Sequence, residues 1–151
     1  KIMSVQVNAV TRHGGDVDKM IGDAVLARFD GDDGPTRALA AAYDIQDTVS
    51  HEAFPRSLGI GIYQGAVISG AIGPDDRRDF TVIGDAVNIS ARLCALAGRG
   101  EIVIDSALVN ASDDAAFDPA ESVHVKGRRQ VISVRRWQRT RDANAAFPRP
   151  D

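Results

Sequence analysis

Apolar positions in this chain follow two rhythms. Residues 2–12 carry Val5, Val7 and Val10 at helix-like spacing and read as the end of a helix, closed by His13-Gly14-Gly15, where a glycine can take the left-handed C-terminal conformation. Residues 16–21 and 24–29 are two short strands meeting at Gly22-Asp23, a tight hairpin turn. Asp32-Asp33-Gly34-Pro35 leads into a helix over residues 36–50, with Pro35 suited to its first turn and Ala38, Ala42, Ile45 and Val49 on one stripe. Residues 58–62 and 66–72 read as buried strands separated by Gln64-Gly65, and their alternating glycines imply close backbone approach. Asp75-Asp76-Arg77-Arg78 is a solvated loop before a strand at 80–83. Gly84-Asp85 then opens a helix to about residue 97. A strand at 101–105, a short helix at 106–110 and strands near 122–125 and 130–137 complete the series. This order is an α+β sandwich. One strand added upstream would make the core βαββαβ, the ferredoxin-like arrangement.

Length and composition narrow the class. The 151 residues fit one domain, residues 1–140, followed by a loose tail at 141–151 marked by Pro148-Arg149-Pro150. Apolar content of 44% and charged content of 26% are those of a globular protein in water, and no apolar run of bilayer length occurs. The single Cys94 excludes an internal disulfide, which fits a reducing, cytoplasmic setting, and its apolar helical neighbours predict a small buried side chain. The chain opens inside an apolar-periodic segment with no capping residue, so its natural start is expected upstream.

The net charge of −3 conceals an asymmetry: residues 126–151 carry +6 and the rest −9. Trp137 and Phe147 are the only aromatic residues among those basic side chains and the domain is acidic overall, so nucleic acid is not the expected partner. They read as solvated surface, with one or two facing phosphate. His13, His51 and His124 lack metal-ligand spacing and read as structural or surface groups.

Two clusters carry candidate chemistry. Asp23 on a hairpin turn offers a carboxylate that a hard divalent cation can reach, and magnesium usually takes one or two such ligands plus water and phosphate. Lys19 lies four residues earlier. Downstream, Asn88 and Arg92 are i and i+4 on one helix face, where a guanidinium can fork onto phosphate oxygens and an amide can hold a sugar oxygen. Thr81 on the preceding strand adds a hydroxyl. Together these types suit a metal-bound nucleoside triphosphate; each alone is better explained as turn, surface or strand chemistry.

The string Asp79-Phe80-Thr81-Val82-Ile83-Gly84-Asp85-Ala86-Val87-Asn88-Ile89-Ser90-Ala91-Arg92-Leu93 resembles a signature of the class III adenylate/guanylate cyclase catalytic domain. The stretch from His13-Gly14-Gly15 through Lys19-Met20-Ile21-Gly22-Asp23 to Phe29 resembles the same family's earlier signature. So does Gly59-Ile60-Gly61-Ile62-Tyr63-Gln64-Gly65, and Val125-Lys126-Gly127 is similar to its C-terminal phosphate-contacting element. The likeness runs from about residue 5 to 137, in order. Thr81 is similar to the subclass with a Lys/Thr pair at the base. Tyr63-Gln64 departs from the His-Thr often found before that turn's glycine.

That resemblance implies a nucleotidyl cyclase fold with its first strand missing, and a set of roles. Asp23 would be one of two carboxylates binding two magnesium or manganese ions, one activating the ribose 3′-hydroxyl and the other neutralising the leaving pyrophosphate. Lys19 and Thr81 would contact the adenine edge, Asn88 would position the ribose, and Arg92 would stabilise charge on the α-phosphate. Lys126 would face the terminal phosphates, with Arg128 a competitor. The site would form between two subunits packed head to tail, here expected as a homodimer. A lysine ammonium can only donate, which suits the bare N1 of adenine and opposes the N1–H of guanine, so ATP is the expected substrate and cyclic AMP the product.

The family's other metal carboxylate belongs to the absent strand. Asp16 and Asp18, the only earlier acids, lie beside the turn and do not replace it. The 151 residues alone are therefore expected to show little activity. The competing expectation is a non-catalytic cyclase-homology module that binds nucleotide or a partner cyclase. A diguanylate cyclase is disfavoured, because the residues after Gly14-Gly15-Asp16 do not continue that family's motif.

Overall fold

The computed structural model describes residues 1–52, 54, 57–72, 79–125 and 131–139, with the backbone alone described at 69–72 and 79–82. Helix α1 spans Ile2–Arg12, strands β1 and β2 span Asp16–Ile21 and Ala24–Arg28, and helix α2 spans Gly34–His51. Strands β3 (Ile60–Ile62), β4 (Ile68–Ile72) and β5 (Asp79–Ile83) follow, then helix α3 (Asp85–Leu96). Strands β6 (Glu101–Asp105), β7 (Glu121–His124) and β8 (Val131–Gln138) close the order, with two short 3-10 turns between β6 and β7. The second of these turns, Asp114–Ala116, has no counterpart in the sequence reading.

Among the described residues the strands form three sheets. β1 and β2 form an antiparallel hairpin, β4 and β5 form another, and β3-β6-β8-β7 form a four-stranded sheet. Although β3 and β4 are neighbours in sequence, β3 pairs in parallel with β6, forty residues on, through Ile60↔Ile102 and Ile62↔Ile104. This is the mixed α+β architecture that the periodicity predicts.

β6 shows how the layers stack. Its side chains alternate: Ile102 and Ile104 pack with Leu39 and Ala42 of α2 and with Trp137, while Val103 packs with Ile89 and Leu93 of α3. Helices thus cover both faces of the main sheet, and a third cluster joins Ala9 of α1 to Ile45 and Val49 of α2. Leu39 and Ala41, absent from the predicted stripe, are buried on α2, whereas Ala38 is only half-buried. Leu39 lies beside the stripe at helical spacing from Ala42, so the core face is one residue wider than the stripe suggests.

Two expectations change. Cys94 is exposed as a residue rather than buried, with its Sγ lying 3.5 Å from the Gly59 carbonyl oxygen. Partial desolvation there raises the thiol pKa, offset in part by a backbone hydrogen bond at Gly61. Secondly, the described C-terminal arginines, Arg135, Arg136 and Arg139, are not solvated surface. Arg135 donates to the Asp118 and Phe117 carbonyls at 2.8 and 3.1 Å, and Arg139 pairs with Asp47 at 2.6 Å. Arg136 likewise bridges Glu121 and Glu101, and its pKa is raised chiefly by the hydrogen bond to Glu121. The physical reason is reach: these side chains extend from β8 and the residue after it to neighbouring carbonyls and carboxylates that need donors.

Candidate functional site

The acidic hairpin is built by local rules. Gly22 turns with φ +62°, a conformation that costs glycine nothing, and Ile21↔Ala24 pair across the turn. Asp23 is exposed at its tip. From α1, the buried Gln6 side chain brings its Nε2 to 3.5 Å from the Asp23 carbonyl oxygen, so helix and hairpin meet at the candidate ligand. Behind the hairpin, Arg37 of α2 donates to the Gly14 carbonyl at 2.8 Å, to the Asp30 carbonyl and to Asp33, and lies over the Phe29 ring. One side chain thereby ties the end of α1, the exit of β2 and the start of α2 together.

Lys19 stands on the same hairpin, facing Leu26, with its side chain 41% exposed and its Nζ 3.8 Å from Asp18 Oδ2. The β1–β2 register slips here: Val17 faces Ala27 and Lys19 faces Leu26, leaving Asp18 as the extra residue of a bulge.

β1 packs against β5, the strand of Thr81, whose backbone pairs with Gly70 of β4. β5 then passes through Gly84 directly into α3. At Gly84 φ is +156°, and a Cβ would meet the Ala66 carbonyl oxygen at 2.9 Å, so no other residue makes this strand-to-helix corner without displacement. α3 buries Ala86, Ile89 and Leu93 and exposes Asn88 and Arg92 one turn apart, as their spacing predicts. At the helix's far end Arg136 donates to the Leu96 carbonyl at 3.0 Å, satisfying one of its open acceptors.

The structure thus brings the elements carrying Lys19 and Thr81 side by side, and sets Asn88 and Arg92 on the helix that Thr81's strand feeds. Lys126 and Arg128, the candidates for the terminal phosphates, lie outside the described residues, as does the tail at 141–151. The supporting residues Gln6, Arg37 and Asp18 carry no sequence signal of their own: a glutamine in an apolar helix, an arginine in the first turn of a helix and an aspartate in a strand are all commonplace. Among the described residues no three acidic, histidine or cysteine side chains converge on a cation site. Asp23, exposed on a turn with no bulky neighbour at Gly22, fits a hard cation that takes its remaining ligands from phosphate, water or another carboxylate. No described helix is long and apolar enough to cross a membrane.

Residues 19–135 match the adenylate and guanylate cyclase catalytic domain, and the chain belongs to that family. An adenylate cyclase from Anabaena cylindrica is 38% identical over 145 residues, covering 83% of this chain and 28% of that protein. The chain therefore spans little more than a quarter of the length of that curated relative. Among solved structures, the guanylyl cyclase Cya2 superposes with a TM-score of 0.71 at 25% identity, over 90% of this chain and 78% of that one. An adenylate/guanylate cyclase/hydrolase from Silicibacter pomeroyi does so with a TM-score of 0.64 at 30% identity, over 87% and 76%.

Proposed function

We propose that this domain is an adenylate cyclase, forming 3′,5′-cyclic AMP and pyrophosphate from ATP for intracellular signalling. The observation that carries the reading is the continuity of β1, β5 and α3. Strand packing sets Lys19's strand beside Thr81's, and the corner at Gly84 leads on to an exposed Asn88–Arg92 pair. Base, sugar and α-phosphate of one nucleotide would lie along that path. The name of the Anabaena relative agrees with an adenine substrate; that of Cya2 marks guanine as the competitor to exclude.

In this reading Lys19 donates to adenine N1 and Thr81 accepts from the exocyclic amine. Asn88 holds the ribose so that its 3′-oxygen points at the α-phosphorus. Arg92 donates to the α-phosphate oxygens as negative charge builds there. Lys126 faces the terminal phosphates, with Arg128 the alternative. Asp23 would hold magnesium or manganese, two ions per site, which when bound activate the 3′-hydroxyl and neutralise pyrophosphate. A second carboxylate would complete the pair that holds the two ions.

The catalytic unit in this reading is a head-to-tail homodimer on the cytoplasmic side, the acidic hairpin of one copy facing α3 of the other. The exposure of large apolar side chains on the site's own elements supports it: Met20 and Ile21 on β1, Ile68 on β4 and Ile83 on β5, the last two directly paired. Such side chains in one region ask for a cover, and a second copy supplies one.

The test is turnover of ATP and GTP by the full-length protein with manganese, beside its Lys19→Glu variant. Cyclic AMP formation by the wild type and loss of ATP selectivity in the variant are expected. Persisting ATP turnover and selectivity in Lys19→Glu would refute the base assignment. No cyclic nucleotide from the full-length protein at all would leave the regulatory-module reading instead.

A further inference from the structure

Asp18 is the residue that the hairpin register skips. On a regular strand its side chain and that of Lys19 would point to opposite faces. At the bulge two residues of β1 stand against one of β2, and the two side chains converge, Oδ2 to Nζ at 3.8 Å. Burial differs sharply between them: the Asp18 side chain is 9% exposed and that of Lys19 41%. An anion set into the protein thus stands beneath a cation that reaches outwards.

The carboxylate is held at a cost. Asp18 Oδ2 is buried and has no hydrogen-bond partner among the described residues. A buried charged oxygen without a donor destabilises the fold, and an uncharged side chain of the same size would not carry that penalty. Bulges, too, are found where a side chain must be re-aimed near a site. A skipped residue, a buried carboxylate oxygen with no donor among the described residues and a neighbouring ammonium all point the same way.

We propose that Asp18 is a positioning residue that presets the Lys19 ammonium for base selection, which rests on the reading of Lys19 as the adenine contact. Lysine is a flexible point charge, and holding it before the nucleotide arrives removes an ordering cost from binding. The separation of 3.8 Å is an electrostatic tether rather than a hydrogen bond. Asp18 itself, being buried, touches no substrate. Its effect falls on the fit of adenine against guanine, because only a correctly placed donor at N1 distinguishes them.

The experiment uses the full-length protein and the variants Asp18→Asn, Asp18→Glu, Lys19→Ala and the Asp18→Asn/Lys19→Ala double. Three quantities are measured: KM and kcat with ATP and with GTP, equilibrium binding of 3′-deoxy-ATP, and the thermal unfolding midpoint. Asp18→Asn is expected to weaken 3′-deoxy-ATP binding and ATP-over-GTP preference about tenfold, through KM more than kcat, with an unfolding midpoint equal to or above wild type. Asp18→Glu should restore part of the preference, and the double variant should be no worse than Lys19→Ala. If Lys19→Ala loses selectivity while Asp18→Asn keeps it, the positioning role is overturned and the base assignment stands. If Lys19→Ala keeps it too, the base assignment fails and Asp18 falls with it. An Asp18→Asn protein that melts earlier and loses ATP and GTP equally would also overturn the proposal, by showing a purely structural role.

Discussion

Gly61 and Cys94 meet backbone to backbone: a Cβ added to Gly61 would lie 2.3 Å from the Cys94 amide nitrogen and 2.6 Å from the Ser90 carbonyl oxygen. β3 can approach α3 this closely only because it carries no side chain there, and α3 is the helix that presents Asn88 and Arg92. The obstacles are main-chain atoms, which cannot rotate aside. Gly61→Ala is therefore expected to destabilise the domain by ~3 kcal/mol or more, at or beyond the usual range for overpacking. Urea titration checks the stability. A variant that unfolds at the wild-type midpoint would show that α3 rides more loosely on the sheet than this contact requires.

Gln46 is a second hidden constraint. It is 3% exposed within the apolar face of α2, and its Nε2 donates to the Leu58 carbonyl at 2.9 Å and the Glu101 carbonyl at 3.2 Å. Those carbonyls precede β3 and open β6, the parallel pair that must be brought together across forty residues of chain. Gln46→Leu fills the space but takes a donor from both carbonyls, of which that of Leu58 keeps the Gly100 N–H at 3.1 Å, with an expected loss of about 1 kcal/mol or more. Gln46→Glu should be worse, since a carboxylate facing two carbonyl oxygens has no donor to offer unless it is protonated. The order wild type, then Leu, then Glu in denaturant midpoint is the result to look for.

These two residues show what a sequence conveys and what it conceals. Helix and strand periodicity is a local property, and the element order, the Gly22-Asp23 turn and the one-face spacing of Asn88 and Arg92 were all legible for that reason. The close approach at Gly59 and Gly61 was legible as well, although its partners, Ala97 and Cys94, were not. What stayed hidden depends on pairing across long separations. No local pattern says that β3 joins β6 instead of β4, that Gln46 reaches Glu101, or that Arg139 pairs with Asp47, ninety-two residues away. The Asp18 bulge is hidden for the same reason, because register belongs to two strands and not to one.

Tyr43 gives a pH-dependent prediction. Its hydroxyl donates to Asp113 Oδ1 at 3.0 Å, and its ring meets Trp137 edge-on at 5.3 Å. Desolvation raises the phenol pKa well above its ordinary value of 10.0, and the Asp113 charge and hydrogen bond raise it further. The folded state therefore holds this proton more tightly than the unfolded chain does. Its contribution to stability is complete below pH 10 and is lost as the pH climbs from there towards the folded value. Wild type should lose stability more steeply than Tyr43→Phe between about pH 9.5 and 11.5. Parallel curves for the two proteins would mean that Tyr43 ionises in the folded state without penalty.

The last prediction concerns Arg92. On α3 it stands exposed, one turn beyond Asn88, while Ile89 and Leu93 are buried. A guanidinium placed there can be lost without opening the core, so Arg92→Ala should fold with the wild-type unfolding midpoint, within about 0.5 kcal/mol in stability. If its role is to donate to the α-phosphate as charge accumulates during attack, the loss belongs to the transition state. In the full-length protein kcat should then fall roughly a hundredfold or more, while KM for ATP changes far less. Arg92→Lys restores the charge without the two-pronged geometry and should recover only part of the rate. Asn88→Ala provides the contrast, since a group that orients the ribose also acts on the ground state and should disturb KM as well as kcat. Steady-state kinetics on the three variants separates the roles. An Arg92→Ala enzyme with unaltered kcat would remove this helix from the chemistry.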